Sequence, residues 1–129
     1  MKLLLYLNGT NGNAKRFKTA IRGLAPKHRT EICPDTISLS ERLRQRRGDL
    51  TVVVLYVSTR EELAEILALG DWLHDLRILL ILPDRDKDTI SQGITLRPRY
   101  FSFADTDFSD VSAVLGKMLK VYGKDSATY

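Results

Sequence analysis

Leu50-Thr51-Val52-Val53-Val54-Leu55-Tyr56-Val57 is apolar at every position but one and rich in β-branched residues. A half-exposed strand alternates polar and apolar side chains. An unbroken run of this kind is buried on both faces, as a central strand of a parallel sheet covered by helices is. Gly48 before it and Ser58-Thr59 after it leave too little length for a buried helix. The run hands over at once to a helix start, Ser58-Thr59-Arg60-Glu61-Glu62, where Ser58 with Glu61 and Thr59 with Glu62 form two overlapping capping boxes.

On the N-terminal side, residues 2–7 make a second unbroken apolar run and are read as the first strand. The loop Asn8-Gly9-Thr10-Asn11-Gly12-Asn13 consists of residues that tolerate positive φ or cap helices. A helix follows over 14–25, with Phe17, Ala20, Ile21 and Leu24 on one face, Lys15, Arg16, Lys18 and Arg22 on the other, and Pro26 as its stop. A short edge strand covers 30–33, where Pro34 ends the pairing. Ser38 and Glu41 form a capping box for a basic helix over 39–47, closed by Gly48.

On the C-terminal side the longest helix runs over 59–75, with Leu63, Ile66, Leu67 and Leu73 toward the sheet and Gly70 as its point of interruption. An apolar strand over 77–82, a charged loop 83–88, a weak helix over 89–96 and a strand over 100–103 follow. Asp107 or Ser109 caps a last helix whose apolar face is Val111, Val114, Leu115, Met118 and Leu119. With no repeat and no change of composition, residues 1–123 read as one domain and 124–129 as a frayed tail.

Five strands alternating with five helices predict an α/β three-layer sandwich with right-handed crossovers. The common five-strand solution is a parallel sheet in the order 2-1-3-4-5, with ligands at the carboxyl ends of its central strands. The loops at that edge are 8–13, 56–59, 83–88 and 104–107.

The 129 residues suffice for a core without metals or crosslinks, and 43% hydrophobic with 28% charged residues is ordinary for a globular chain. Cys33 is the single cysteine, which excludes an internal disulfide and suits a reducing, cytoplasmic setting. No apolar run approaches the length of a membrane span, and the five residues after Lys2 are too few for a signal sequence. The net charge of +4 is uneven: residues 1–50 hold 11 Lys/Arg against 4 Asp/Glu, and the remainder hold 9 against 12. Lys15, Arg16, Lys18, Arg22, Lys27, Arg29, Arg42, Arg44, Arg46 and Arg47 supply most of the excess. No aromatics interleave these charges for base stacking, so an acidic protein partner is expected ahead of nucleic acid. Arg42 and Arg46 are the candidate contacts on the second helix.

The alternation, at this length, resembles the receiver domain of bacterial response regulators over residues 1–122. The likeness centres on Gly48-Asp49-Leu50-Thr51-Val52-Val53 and on Tyr100-Phe101-Ser102-Phe103-Ala104. Carried over residue by residue, the family's acidic pair falls at Leu7-Asn8 or Asn8-Gly9 and its phosphoacceptor at Val54. Its hydroxyl residue falls at Leu82 or Pro83 and its lysine at Phe103. Only Tyr100 matches, at the switch aromatic, and no Asp or Glu lies from Leu50 to Arg60. Phosphorylation needs carboxylates for Mg²⁺ and a hydroxyl and an ammonium for the phosphoryl oxygens. The resemblance therefore implies a pseudo-receiver: no catalysis, no cofactor, and protein–protein interaction in bacterial signalling. It also implies a homodimer or partner surface made by the helix over 89–96, the strand over 100–103 and the last helix, with Tyr100 as anchor.

A second, local resemblance is to the flavodoxin phosphate loop, in Thr10-Asn11-Gly12-Asn13. It implies binding of flavin mononucleotide or another phosphate ligand by backbone N–H groups at a helix N-terminus. The plainer reading of those residues is a strand-to-helix connection. Asp84, Asp86 and Asp88 alternate like calcium-loop residues but lack the accompanying Gly and Glu, and Asp84 and Asp105 both end strands; no metal is expected. His28 and His74 are expected at the surface, and Cys33 packed on the second strand.

Overall fold

The central run becomes β3 (Leu50–Tyr56), and all six residues from Val52 to Val57 are buried. It pairs with β1 (Lys2–Leu7) on one side and β4 (Ile78–Leu82) on the other; β2 (Arg29–Cys33) lies beyond β1 and β5 (Tyr100–Phe103) beyond β4. All four pairings are parallel and the order is β2-β1-β3-β4-β5, as expected. The computed structural model describes residues 2–8, 12–24, 29–45, 50–106 and 108–127. Its helices are α1 (Gly12–Leu24), α2 (Thr36–Leu43), α3 (Arg60–Leu67), α4 (Gly70–Leu73), α5 (Lys87–Ile94) and α6 (Ser109–Ala127).

Strand alternation sorts the core into two layers. Leu3, Leu5, Val52, Val54, Tyr56, Leu79 and Ile81 pack with Phe17 and Ile21 of α1 and with Val111 and Leu115 of α6. Leu4, Tyr6, Val53, Leu55, Leu80 and Leu82 pack with Leu39 and Leu43 of α2, Leu63 and Ile66 of α3, and Leu73 of α4. Leu50 joins the second layer, although it lies an even step from Val52. The register explains this: Lys2 faces Leu50 but Leu3 faces Val52, so Thr51 is an extra residue that turns Leu50 over.

Three local expectations are corrected. The helix over 59–75 is two helices, because the chain turns at Ala68-Leu69 and restarts at Gly70, where Leu69 N–H reaches only as far back as Ile66 O at 2.9 Å. The second helix starts at Thr36 rather than at 39, since Asp35 accepts from Ser38 N–H at 2.7 Å and takes the capping role assigned to Ser38. The helix over 89–96 starts at Lys87, with Asp86 as its cap. The last helix is α6, Ser109–Ala127.

Gly93 is where α5 meets the sheet most closely. A Cβ there would sit 2.9 Å from Leu82 Cδ2 and 3.0 Å from Leu80 Cδ2, so the missing side chain is what lets α5 lie directly on β4. On the opposite edge, Arg42 of α2 is buried and pairs with Glu31 of β2, joining helix to edge strand. Cys33 is buried beside them, and that burial pushes its thiol up to about 11.

Candidate functional site

The carboxyl ends of β1, β3, β4 and β5 lie along one edge of the sheet, where the chain crosses into helices or loops. Asn8 is exposed there, and its carbonyl accepts from the Ser58 hydroxyl at 3.0 Å, tying the end of β1 to the end of β3. Ser58 is thereby used between strands rather than as a cap. Thr59 is the cap of α3: its hydroxyl oxygen accepts from Glu62 N–H at 3.1 Å and the same hydroxyl donates to the Glu62 carboxylate at 3.3 Å. Glu62 also accepts from the Tyr6 hydroxyl at 2.6 Å, a buried link between β1 and α3. Burial first, and this hydrogen bond second, hold the Tyr6 proton on well above the usual tyrosine range.

The phosphate-loop residues Thr10 and Asn11 lie outside the described residues, as do Gly9, a receiver position, and His28 and Arg46. Gly12 and Asn13 form the first turn of α1.

Val54 is fully buried, paired between Leu5 and Leu79, and stands two residues inside the end of its strand. The residue on the same face at the strand's end is Tyr56, 2% exposed. Its ring lies 5.0 Å from that of Phe17 and 6.3 Å from that of Phe108, and those two phenyl rings are 5.0 Å apart. Phe108 reaches this position from a left-handed backbone, φ 65°, with its N–H donating to Thr106 Oγ1 at 3.3 Å. Among the described residues, three aromatic rings therefore pack together below the end of β3, between it and α1 and α6.

The rest of the edge is closed by ion pairs. Arg60 donates to Asp84 at 3.0 Å and to Asp86 at 2.6 Å, and it holds the Asp86 carboxyl below its ordinary range. Arg85 forks onto Asp105 at 2.9 and 3.2 Å, lowers that carboxyl in the same way, and lies 4.2 Å over the Phe103 ring. Asp84 and Asp105 are therefore bound by different arginines rather than by each other. Among the described residues, no three His, Cys, Asp or Glu side chains are grouped to hold a metal ion. Pro83 is half-buried behind these pairs. Solvent screens these pairs, so they add little to stability and act by tying the loops after β3, β4 and β5 together.

Tyr100 packs toward α6, not under the helix before β5. Its hydroxyl donates to Asp110 at 2.7 Å, and Ser102 donates to the same carboxylate at 3.4 Å. Phe101 and Phe103 face the other layer, half-buried, with ring centroids 6.1 Å apart. Of the candidate contacts, Tyr100 is partly accessible on the edge strand, whereas Arg42 is withdrawn into its pair with Glu31. The roles of Arg60 and Arg85 escape a linear reading. The alternation Asp84-Arg85-Asp86 is visible in sequence, but its partners lie 20 or more residues away.

Comparison of the chain with protein-family models, with curated proteins and with solved structures gives no match.

Proposed function

We propose that this chain is a receiver-like domain without phosphotransfer chemistry that works by binding another protein in bacterial signalling or regulation. The observation that supports this reading is the buried aromatic cluster at the end of β3. In a phosphorylatable receiver the corresponding place must hold a carboxylate, a divalent cation and an incoming phosphoryl group. In this chain the end of β3, the middle strand of a β2-β1-β3-β4-β5 sheet, carries Tyr56 packed against Phe17 and Phe108. The β5 edge of the sheet is accessible. Tyr100, Phe101 and Phe103 are half-buried along β5, and Ile94 at the end of α5 is 52% exposed. An unpaired edge strand with apolar neighbours is a surface that proteins cover with a partner or a second copy. The exposed Lys15 and Arg16 of α1 belong to the basic half of the chain and favour an acidic partner.

Two measurements test the proposal. Beryllofluoride with Mg²⁺ should leave the amide spectrum unchanged; localised shifts at the ends of β1 and β3 would sink it. For the surface, sedimentation should show that Tyr100→Ala weakens association by about 1–2 kcal/mol and that Ile94→Asp, at an exposed site, does so without loss of stability. Association untouched by both would put the contact elsewhere.

A further inference from the structure

The helices divide between the two faces of the sheet. Phe17 of α1 and Val111 of α6 belong to one core layer, and Leu39, Leu63, Leu73 and Ile90, from α2, α3, α4 and α5, belong to the other. The two helical faces differ in charge. α1 and α6 together carry seven Lys or Arg against two Asp or Glu. The other four helices carry three against six. The uneven charge of the sequence is thus an unevenness between opposite faces of the fold.

The acidic face centres on α3 and α4. Glu61, Ala64, Glu65 and Ala68 are exposed at helical spacing, opposite the buried Leu63 and Ile66, and Asp71 and Trp72 are the exposed residues of α4. Arg60, the one cation of these two helices, is taken up by Asp84 and Asp86. Among the described residues, no cation pairs with Glu61, Glu65 or Asp71; Glu65 accepts from the neutral hydroxyl of Thr36 at 2.7 Å. Apolar side chains lie among these charges. Ile37, 69% exposed, and Leu69 line a cleft of about 320 Å³ between α2 and α3. The Leu69 carbonyl accepts from the N–H of Trp72, itself 40% exposed. Glu41 and Arg44, on the α2 side of the cleft, balance each other in charge.

The basic face is its counterpart. Lys15 and Arg16 of α1 and Lys117 and Lys120 of α6 are exposed, and none of them is in an ion pair among the described residues. Val121, beside Lys120, is 57% exposed. Each face therefore sets like charges around an exposed apolar side chain, with the sign inverted between them. Complementary potentials orient and register a contact, and the apolar side chains supply area to remove from water. We propose that copies of this chain associate face to back, with α1 and α6 of one copy on α3 and α4 of the next. This contact is separate from the β5 edge and does not depend on it. Because the two surfaces differ, the contact is heterologous and extends past a dimer unless its rotation closes a ring.

Sedimentation of the full chain at about 10 mM and about 1 M salt is the test, since the screening length falls from ~30 Å to ~3 Å between them. Association should grow with concentration at low salt and fall steeply at high salt. Glu65→Lys with Asp71→Lys in one variant, and Lys15→Glu with Arg16→Glu in a second, should each weaken it at least roughly tenfold, because each sets like charges against each other. All four sites are exposed, and acidic residues in the first turns of α1 suit its dipole, so the second variant should melt no lower than wild type. Mixed in equal amounts, the two variants should associate again, each offering the charge that the other's reversed face needs. Misfolded variants would not recover on mixing. Ile94→Asp, which reads the β5 edge, should leave the salt-dependent association unchanged. A wild-type chain that stays monomeric at low salt, association equal at the two salts, or reversal variants that associate like wild type would each overturn the proposal. So would a mixture that does not recover, or an equal loss with Ile94→Asp, which would assign the contact to the edge.

Discussion

Val54→Asp should cost at least about 4 kcal/mol at pH 7 and should not create a phosphoacceptor. Val54 is fully buried between Leu5 and Leu79, on the layer packed against α1 and α6. A carboxylate there has only apolar neighbours in that layer, so burial favours its neutral form and raises its pKa in the folded state. The sign follows. The unfolded carboxyl titrates near 3.9, so the variant is least impaired below about pH 4 and loses stability as pH rises from there to the raised folded value. Above that value the loss levels off. Since whole domains of this kind have about 5–15 kcal/mol in hand, the variant should be close to unfolding at neutral pH. Urea titrations at pH 4 and pH 7 measure the difference. Acetyl phosphate should leave the protein unmodified at either pH, because Asn8 supplies no carboxylate for the cation. Near-wild-type stability at pH 7 would mean that the residue can turn out of the core.

How the sequence could and could not place that residue is instructive. Apolar runs at 2–7, 50–57 and 77–82 declare doubly covered strands, because burial on both faces leaves no polar alternation. Parallel strands with helical crossovers then leave few orders, and the one expected is found. The Thr59–Glu62 cap was equally legible, since it is local. The resemblance to receivers assigns the phosphoacceptor position to Val54, and β3 runs on to Tyr56, two residues further and on the same face. A periodicity of two cannot tell those positions apart. Asp35 displaces Ser38 as the cap of α2 because both offer an oxygen within one turn, and only the path out of β2 chooses between them. The ion pairs of the carboxyl edge are invisible for another reason. Arg60 and Asp84 are 24 positions apart and become neighbours only when β3 pairs with β4. The same holds for Arg85 with Asp105 when β4 pairs with β5.

Tyr56→Ala should destabilise the fold by about 3–5 kcal/mol, the usual cost of removing a buried aromatic ring. Tyr56 is 2% exposed and touches both of the other rings of the cluster. Phe17 arrives from the middle of α1 and Phe108 from the turn before α6, so the cluster joins two helices to the central strand. Phe108 holds a left-handed backbone that costs a non-glycine residue about 1–2 kcal/mol, and its place against Phe17 and Tyr56 offsets that strain. Removing Tyr56 withdraws part of the compensation as well as its own packing. Tyr56→Phe keeps the ring and should cost less than about 1 kcal/mol. That contrast separates ring packing from the hydroxyl, whose proton burial already holds above the usual range. A cycle with Phe17→Ala should show a coupling of roughly 0.5–3 kcal/mol, as expected for side chains in contact around one void. If Tyr56→Ala costs less than about 1.5 kcal/mol, or if the two losses simply add, the rings do not act as a unit. The case against phosphotransfer at the end of β3 would then lose its physical support.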